Sequence, residues 1–240
     1  MKHIQSILDI GISNKSHVCV IMPHPDDEAV FCAGILQSLT KENIRVTIIT
    51  VTRGDKSTLR YGVPDGASLS SVRYTELLNS LRLAGVTNEE SIHIWEFPDG
   101  DVESHVDEIA KKIRSHIATS RPTHLLTLEP DGIYGHPDHI ALSALTTTIA
   151  DEASLPLMYL TVKPGYIFGN SRRMAKKSMI TPLIPDYCFH LSVTEVLTKW
   201  RMLRAHGSQF RLSLGDFKTY RHFIRNSMFH REYFSIAHPN

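Results

Sequence analysis

Short runs of apolar, β-branched residues alternate with longer amphipathic stretches through the first two-thirds of the chain. HVCVIM (His17 to Met22) and VTIITV (Val46 to Val51) read as buried parallel strands. IHIWEF (Ile92 to Phe97) and HLLTL (His124 to Leu128) are two more. Helical patterns lie between them, over about Ala29 to Lys41, Ser70 to Leu83, Ser104 to Thr119 and Pro137 to Ala150. Asn43 and Gly85 stop two of these helices in the usual C-terminal way. Such alternation predicts an α/β fold of Rossmann-like, doubly wound type: a mostly parallel sheet with helices on both faces.

The rhythm changes after about residue 155. LMYLTV (Leu157 to Val162) and YCFHL (Tyr187 to Leu191) read as strands, and helices are expected from Thr194 to Ala205 and from Asp216 to Phe229. No internal repeat or convincing linker splits the chain. The expectation is one domain over residues 1–240, with a core at about 17–155 and a C-terminal strand and helix extension at about 156–240. Two long connections, Thr52 to Ser68 and Pro164 to Asp186, carry turn formers without apolar periodicity. Loops of that length in compact domains are usually functional or disordered, and both are candidate specificity elements.

Composition narrows the partners. The 26 Lys and Arg nearly balance the 25 Asp and Glu, so no whole-protein field attracts nucleic acid or an anionic membrane. The basic run Arg172, Arg173, Lys176 and Lys177 reads as a solvated loop. No stretch of about 18 apolar residues is present to span a membrane. The amino terminus lacks the long apolar segment and cleavage site of a signal peptide, so a cytoplasmic address is expected. Cys19, Cys32 and Cys188 sit inside apolar runs and form no CxxC pair; they read as buried reduced thiols rather than disulfides or zinc ligands. Oligomeric state, monomer or homo-oligomer, is left open.

The chemistry concentrates in two segments. Pro23-His24-Pro25-Asp26-Asp27-Glu28 directly follows the first of these strands, at the carboxyl edge where a doubly wound sheet binds ligands. A plain helix N-cap needs one short polar side chain. Three adjacent carboxylates repel one another unless something cationic sits among them, and a metal ion is the economical explanation. Tyr134-Gly135-His136-Pro137-Asp138-His139 follows the fourth of these strands, with Pro137 suited to the first turn of the next helix. The two motifs occupy equivalent strand ends and can converge. Two imidazoles and a carboxylate with an open fourth position form a known catalytic zinc set.

These residues resemble the PIG-L/LmbE superfamily of zinc-dependent de-N-acetylases, whose hallmarks are an (A/P)HPDDE motif after the first strand and a later HPDH motif. Thr52-Arg53-Gly54 resembles that family's TRG segment, with Asp55 where Glu is common. Arg73 to Glu76 fits its RxxE helix, Phe97 to Gly100 its aspartate-bearing loop, and Ala205 to Gln209 its AHxSQ segment. The resemblance spans about residues 17 to 210. It implies that His24, Asp27 and His139 ligate one divalent ion, zinc or alternatively Fe(II), and that Asp26 is the general base. It further implies an amino-sugar substrate, with Arg73 and Asp99 binding sugar hydroxyls.

The chemistry agrees with that division. Zinc lowers the pKa of bound water to about 7 and polarises a carbonyl, and Asp26 can accept the proton as water attacks. His136 could donate to the tetrahedral oxyanion, with Asp138 orienting it and favouring its protonated form; Tyr134 resembles a family tyrosine near the same oxyanion. Either Asp26 or His136 could protonate the leaving amine. An ion pair of Arg73 with Glu76 or Asp99 weighs equally against sugar binding. Arg53 fixes the long loop or meets a substrate anion. For His206, a packing role leads over substrate contact.

The function expected is therefore metal-dependent removal of the N-acetyl group from an N-acetylglucosamine-type sugar or conjugate. Three alternatives remain: an amidase for another acyl group, a non-catalytic sugar- or nucleotide-binding module, and a non-haem iron oxygenase. The binding module is disfavoured because the first of these strands leads into HPDDE and not G-x-G-x-x-G.

Overall fold

A computed structural model of the protein describes residues 1–164, 182–210 and 230–238. The expected helix from Asp216 to Phe229 and the basic run at Arg172 to Lys177 lie outside those residues. The strands are β1 (Lys2–Ile4), β2 (His17–Met22), β3 (Arg45–Thr52), β4 (Ile92–Phe97), β5 (His124–Leu128), β6 (Leu157–Thr161), β7 (Tyr187–His190) and β8 (Arg231–Ala237). The helices are α1 (Asp27–Phe31), α2 (Ala33–Lys41), α3 (Leu69–Leu83), α4 (Val106–Ser120), α5 (Pro137–Ala153) and α6 (Val193–Ala205).

All these strands join one sheet in the order β1-β7-β8-β6-β5-β2-β3-β4. Pairing is parallel except where β8 runs antiparallel between β6 and β7. The alternation along β2 explains the two-sided burial. Val18, Val20 and Met22 face a core built with α1, α2, α3 and α6, while Cys19 and Ile21 face a second core with α4 and α5. The doubly wound α/β reading is thus correct, with helices on both faces. From β2 the chain moves outward to β3 and β4, then returns to place β5 on the other side of β2. That reversal is the topological switch point, the crevice where such sheets bind ligands.

Several details differ from the sequence pattern. The expected helix Ala29 to Lys41 is broken at Cys32, whose φ of −140° is non-helical. The freed N–H groups of Gly34 and Ile35 donate to the buried Glu232 carboxylate at 2.9 Å each, which offsets the lost helical bonds. Lys199 Nζ of α6 donates to the same carboxylate at 2.7 Å, and both side chains are inaccessible to solvent. Glu232 therefore ties β8, α2 and α6 together. Strands β1 and β8 had no sequence signal: β1 is three residues long, and β8 follows a stretch that reads as helix.

Removing the lysine charge strands the Glu232 carboxylate in the interior. Lys199→Met should destabilise the protein by about 3 kcal/mol, read as a lowered midpoint in urea unfolding at neutral pH.

Candidate active site at the sheet switch point

The two motifs are held side by side by the sheet. β2 and β5 are hydrogen-bonded neighbours, with Val18 opposite His124 and Val20 opposite Leu126. Thr127 Oγ1 donates to Ile21 O at 2.9 Å, and Thr52 donates its N–H and hydroxyl to Pro23 O at 3.0 and 2.9 Å. The chain leaving β2 at Met22 is therefore pinned from both sides before His24.

Asp26 occupies the N-cap position of α1, but its side chain makes no cap hydrogen bond. Its carboxylate lies 3.1 Å from Arg73 Nη2 instead. Its φ of 110° lies in the left-handed region, which costs a non-glycine residue roughly 1–3 kcal/mol and is kept only where the surroundings enforce it. Here the enforcement is visible: the Asp26 N–H donates to Glu28 Oε2 at 2.9 Å, and Glu28 Oε1 accepts from Ser80 Oγ and His206 Nε2 at 2.6 and 2.7 Å. Burial raises the Asp26 pKa; Arg73 opposes that, Asp27 adds to it, and the outcome is about 6.

After β5, the chain turns through Gly132 and Ile133, both at positive φ (63° and 67°). A Cβ at Gly132 would fall 2.9 Å from His139 Cβ, so only glycine lets this turn pack against α5. Pro137 is the first residue of α5, as its sequence position suggests. His139 is thereby buried, facing back toward His24.

The resulting geometry is tight. His24 Nδ1 lies 3.2 Å from His139 Nε2 and 3.5 Å from Asp27 Oδ2, and His139 Nε2 lies 3.6 Å from Asp27 Oδ1. Ligands at about 2.0–2.1 Å around a tetrahedral ion are separated by about 3.3 Å, so these three residues fit one divalent ion. Without an ion, a second proton on His24 would fill the same space. His24 Nε2 faces Asp138 Oδ2 at 3.0 Å and Asp99 Oδ1 at 3.2 Å, so in neutral His24 the proton sits there and Nδ1 presents a lone pair to Asp27 and His139. Burial alone would depress the His24 pKa, but Asp138, Asp27 and Asp99 outweigh it and hold it well above the ordinary value. His139 is the opposite case: burial carries it down to about 3, so it stays a neutral imidazole, the form that metal ligation requires. His136 also brings a ring nitrogen within 4.8 Å of those of His24 and His139, and Asp99 and Asp138 bring carboxylate oxygens within the same distance of His24.

Asp138 differs from expectation. Its carboxylate does not orient His136; it holds His24, and it accepts from the N–H groups of Gly100 and Val102 at 2.7 and 3.2 Å. His136 Nδ1 accepts from the Asp138 backbone N–H at 3.2 Å, which leaves Nε2–H as the donor of the neutral ring. Burial and the nearby His24 lower the His136 pKa; Asp138 raises it as expected, with Asp27 and Asp99, but the lowering prevails.

A cavity of about 260 Å³ opens over the cluster, lined by His24, Asp26, Asp27, Tyr134, His136, Arg73 and Asp99 together with Lys56, Ser57, Gly100 and Gln209. Arg73 is buried, and its guanidinium donates to Gly54 O at 2.7 Å and to Pro25 O as well as meeting Asp26. Glu76 instead takes the N–H and hydroxyl of Ser208, at 2.7 Å each. Gly54, at φ 64°, makes room for Arg73, since a Cβ there would lie 2.0 Å from Nη1. Asp99 accepts from Lys56 N–H at 2.7 Å. Two candidate substrate contacts fall away from the cavity. His206 is fully buried behind Glu28, which makes it a packing residue, and Arg53 pairs with Glu96 and lies 5.0 Å over the Tyr74 ring. Lys56, Ser57 and Gln209 were missed as lining residues; their one signal was membership of the long loop and of the Ala205–Gln209 segment. A larger cleft of about 550 Å³ opens at the opposite edge of the sheet, near His17, Arg45, His93 and His116, and gathers neither motif.

The chain matches the PIG-L family, described as GlcNAc-PI de-N-acetylase, over residues 19–150, and it belongs to that family. It is 30% identical over 161 residues to the 1D-myo-inositol 2-acetamido-2-deoxy-alpha-D-glucopyranoside deacetylase of Corynebacterium diphtheriae, covering 59% of this chain and 54% of that protein. The chain thus spans about half the length of the curated relatives it matches most strongly. A probable N-acetyl-alpha-D-glucosaminyl L-malate deacetylase 2 of Bacillus anthracis is 24% identical over 86% of this chain and 87% of its own. Among solved structures, the A40926 pseudoaglycone deacetylase shares the fold at TM-score 0.69 and 21% identity, over 94% of this chain and 97% of that one. Among the described residues, no helix is long and apolar enough to cross a membrane.

Two outcomes follow from the contacts. Asp138→Asn should weaken binding of a divalent ion about 10- to 100-fold, measured by competition with a chromogenic chelator. His206→Gln should cost about 2–3 kcal/mol in unfolding free energy while leaving KM near wild type. The Glu28 carboxylate, working against burial, raises the His206 pKa. Its stabilisation is therefore complete below the unfolded value of 6.5 and lost as pH rises through the folded one, so the gap between the two proteins should narrow in alkali.

Proposed function

We propose that the protein is a metal-dependent hydrolase that removes acetyl from an N-acetylglucosamine-type conjugate. The observation that carries this reading is the His24–Asp27–His139 donor triangle with the Asp26 carboxylate beside it on the cavity wall. Family membership and the deacetylase activities of the relatives support it.

His24, Asp27 and His139 would hold the ion, and the nitrogen and carboxylate donor set suits zinc, with Fe(II) the alternative. When bound, such an ion supplies Lewis-acid polarisation of the acetyl carbonyl and a water of lowered pKa. The chain's own groups do the rest. Asp26, aimed by Arg73, takes the proton of the attacking water and passes it to the nitrogen of the departing amine as the C–N bond breaks. The His136 Nε2–H donates to the oxygen that gains negative charge, and Tyr134 borders the same space. Burial and the charges of Asp27 and Asp26 push the Tyr134 phenol far up, so it remains a neutral donor. Asp138 keeps His24 in the tautomer that turns Nδ1 to the ion.

The cavity, at about 260 Å³, is smaller than the pockets of about 300–1,000 Å³ that enclose drug-sized ligands. It suits one acetamido sugar ring, with the remainder of the conjugate outside. Asp99 retains unused lone pairs for a sugar hydroxyl, whereas Nη1 and Nη2 of Arg73 are engaged by Gly54 O, Pro25 O and Asp26.

The decisive assay measures acetate released by the metal-loaded protein from glucosaminyl-inositol, glucosaminyl-malate and chitobiose N-acetyl compounds. Turnover of at least one is expected. No release from any, with the ion bound, would remove the acetamido sugar as substrate. Asp26→Asn should retain the ion and lose about 10²- to 10⁴-fold in kcat; undiminished kcat would sink the assignment of Asp26 as base.

A further inference from the structure

The far edge of the sheet carries a second cluster of ligating side chains. In the parallel pairing of β1 with β7, His3 stands opposite Cys188, so both point to the same face, and His190 joins them two residues on. Their potential ligand atoms, His ring nitrogens and the Cys188 sulfur, all lie within 4.8 Å of one another. His3 Nδ1 and His190 Nε2 approach to 2.6 Å, and Cys188 Sγ lies 3.6 Å from the same His190 nitrogen. β8, β6 and β5 lie between β7 and β2. At about 4.8 Å per strand the cluster is roughly 19 Å across the sheet from the catalytic motifs.

We propose that His3, Cys188 and His190 form a second metal site for a zinc-class ion, which clips the edge strand β1 to the body of the sheet. The donor chemistry and spacing support it. A thiolate at about 2.3 Å and an imidazole at about 2.0 Å from a tetrahedral ion are separated by about 3.5 Å, which the Cys188–His190 distance already meets. His3 is exposed on a three-residue strand and is free to open its contact with His190 to the same scale. Cys188 is fully buried, His190 half-buried and His3 exposed, so the fourth position faces water. One thiolate with two imidazoles is a soft donor set that selects zinc or copper over magnesium or calcium.

The neighbours on β8 favour ligating forms. Arg231 stands opposite His190, and Tyr233 opposite Cys188. Burial lowers the His190 pKa, and Arg231, His3 and His230 lower it further, so the ring is neutral. Burial raises the Cys188 thiol, with Arg231 and Tyr233 pulling the other way. Binding forms the metal–sulfur bond and releases the thiol proton to solvent. The thiolate charge then offsets that of Arg231. This revises the sequence reading of Cys188 as an inert thiol, because its partners lie 185 residues away and two residues away rather than in a CxxC spacing.

The site is testable apart from catalysis, because the catalytic ligands include no sulfur. Full-length protein without a polyhistidine tag is stripped with chelator and titrated with Co(II). Wild type should bind two ions per chain and develop the near-ultraviolet thiolate-to-cobalt absorption. The His24→Ala/His139→Ala double variant should keep that band, and Cys188→Ser should lose it while still binding one ion. His3→Ala, a change on an exposed residue, should weaken the sulfur-bound ion at least tenfold. A wild-type protein that is folded by circular dichroism yet shows no such band overturns the proposal. So does a band that survives Cys188→Ser, or an affinity that His3→Ala leaves unchanged.

Discussion

Everything at the candidate active site depends on β2 and β5 being adjacent. Neither motif alone brings the His24–Asp27–His139 donors together: the first supplies one imidazole and one carboxylate, and the second supplies the other imidazole. Three further carboxylates, Asp26, Asp99 and Asp138, enter the same few ångströms. Such crowding is tolerable because each has a designated cationic or N–H partner: Arg73 for Asp26, His24 with Lys56 N–H for Asp99, His24 with two backbone N–H groups for Asp138. The remaining demand falls on the space between His24, Asp27 and His139, where a divalent cation answers all three donors at once.

Behind that layer stands a second one. Glu28 gathers Ser80 from α3, His206 from beyond α6 and the N–H of Asp26, so the conformation of Asp26 is set from the interior. Arg73 performs the same task from the other side, bridging Pro25, Gly54 and Asp26. Rigid support of this kind is what allows a carboxylate to be held at a fixed attack position without a ligand present. Glu232 extends the bracing by locking β8 and α6 onto the start of α2.

The parallel strands and their helices were legible because their burial on both faces writes continuous apolar runs into the sequence. The two motifs around His24, Asp27 and His139 stood out because ionisable residues at strand ends have little structural reason to cluster, while the division into ligands and base came from the family resemblance. What escaped depends on contacts between distant segments. The break at Cys32 follows from Glu232, two hundred residues later, and β8 is a strand because β6 and β7 leave a gap for it. The sequence pairs Asp138 with His136, two residues away, but its side chain crosses to His24. For His206 the sequence already favoured packing, and its place behind Glu28 shows why the histidine of an AHxSQ segment can matter without touching ligand.

The backbone of Asp26 carries a wider implication. At φ 110° this position would be more comfortable as glycine, which has no Cβ to resist the turn. The carboxylate is therefore retained against the local preference of the chain. A population of variants sorted only for thermal endurance would be expected to drift toward glycine at residue 26, and one sorted for turnover would not. The position thus records which of the two pressures has shaped the chain.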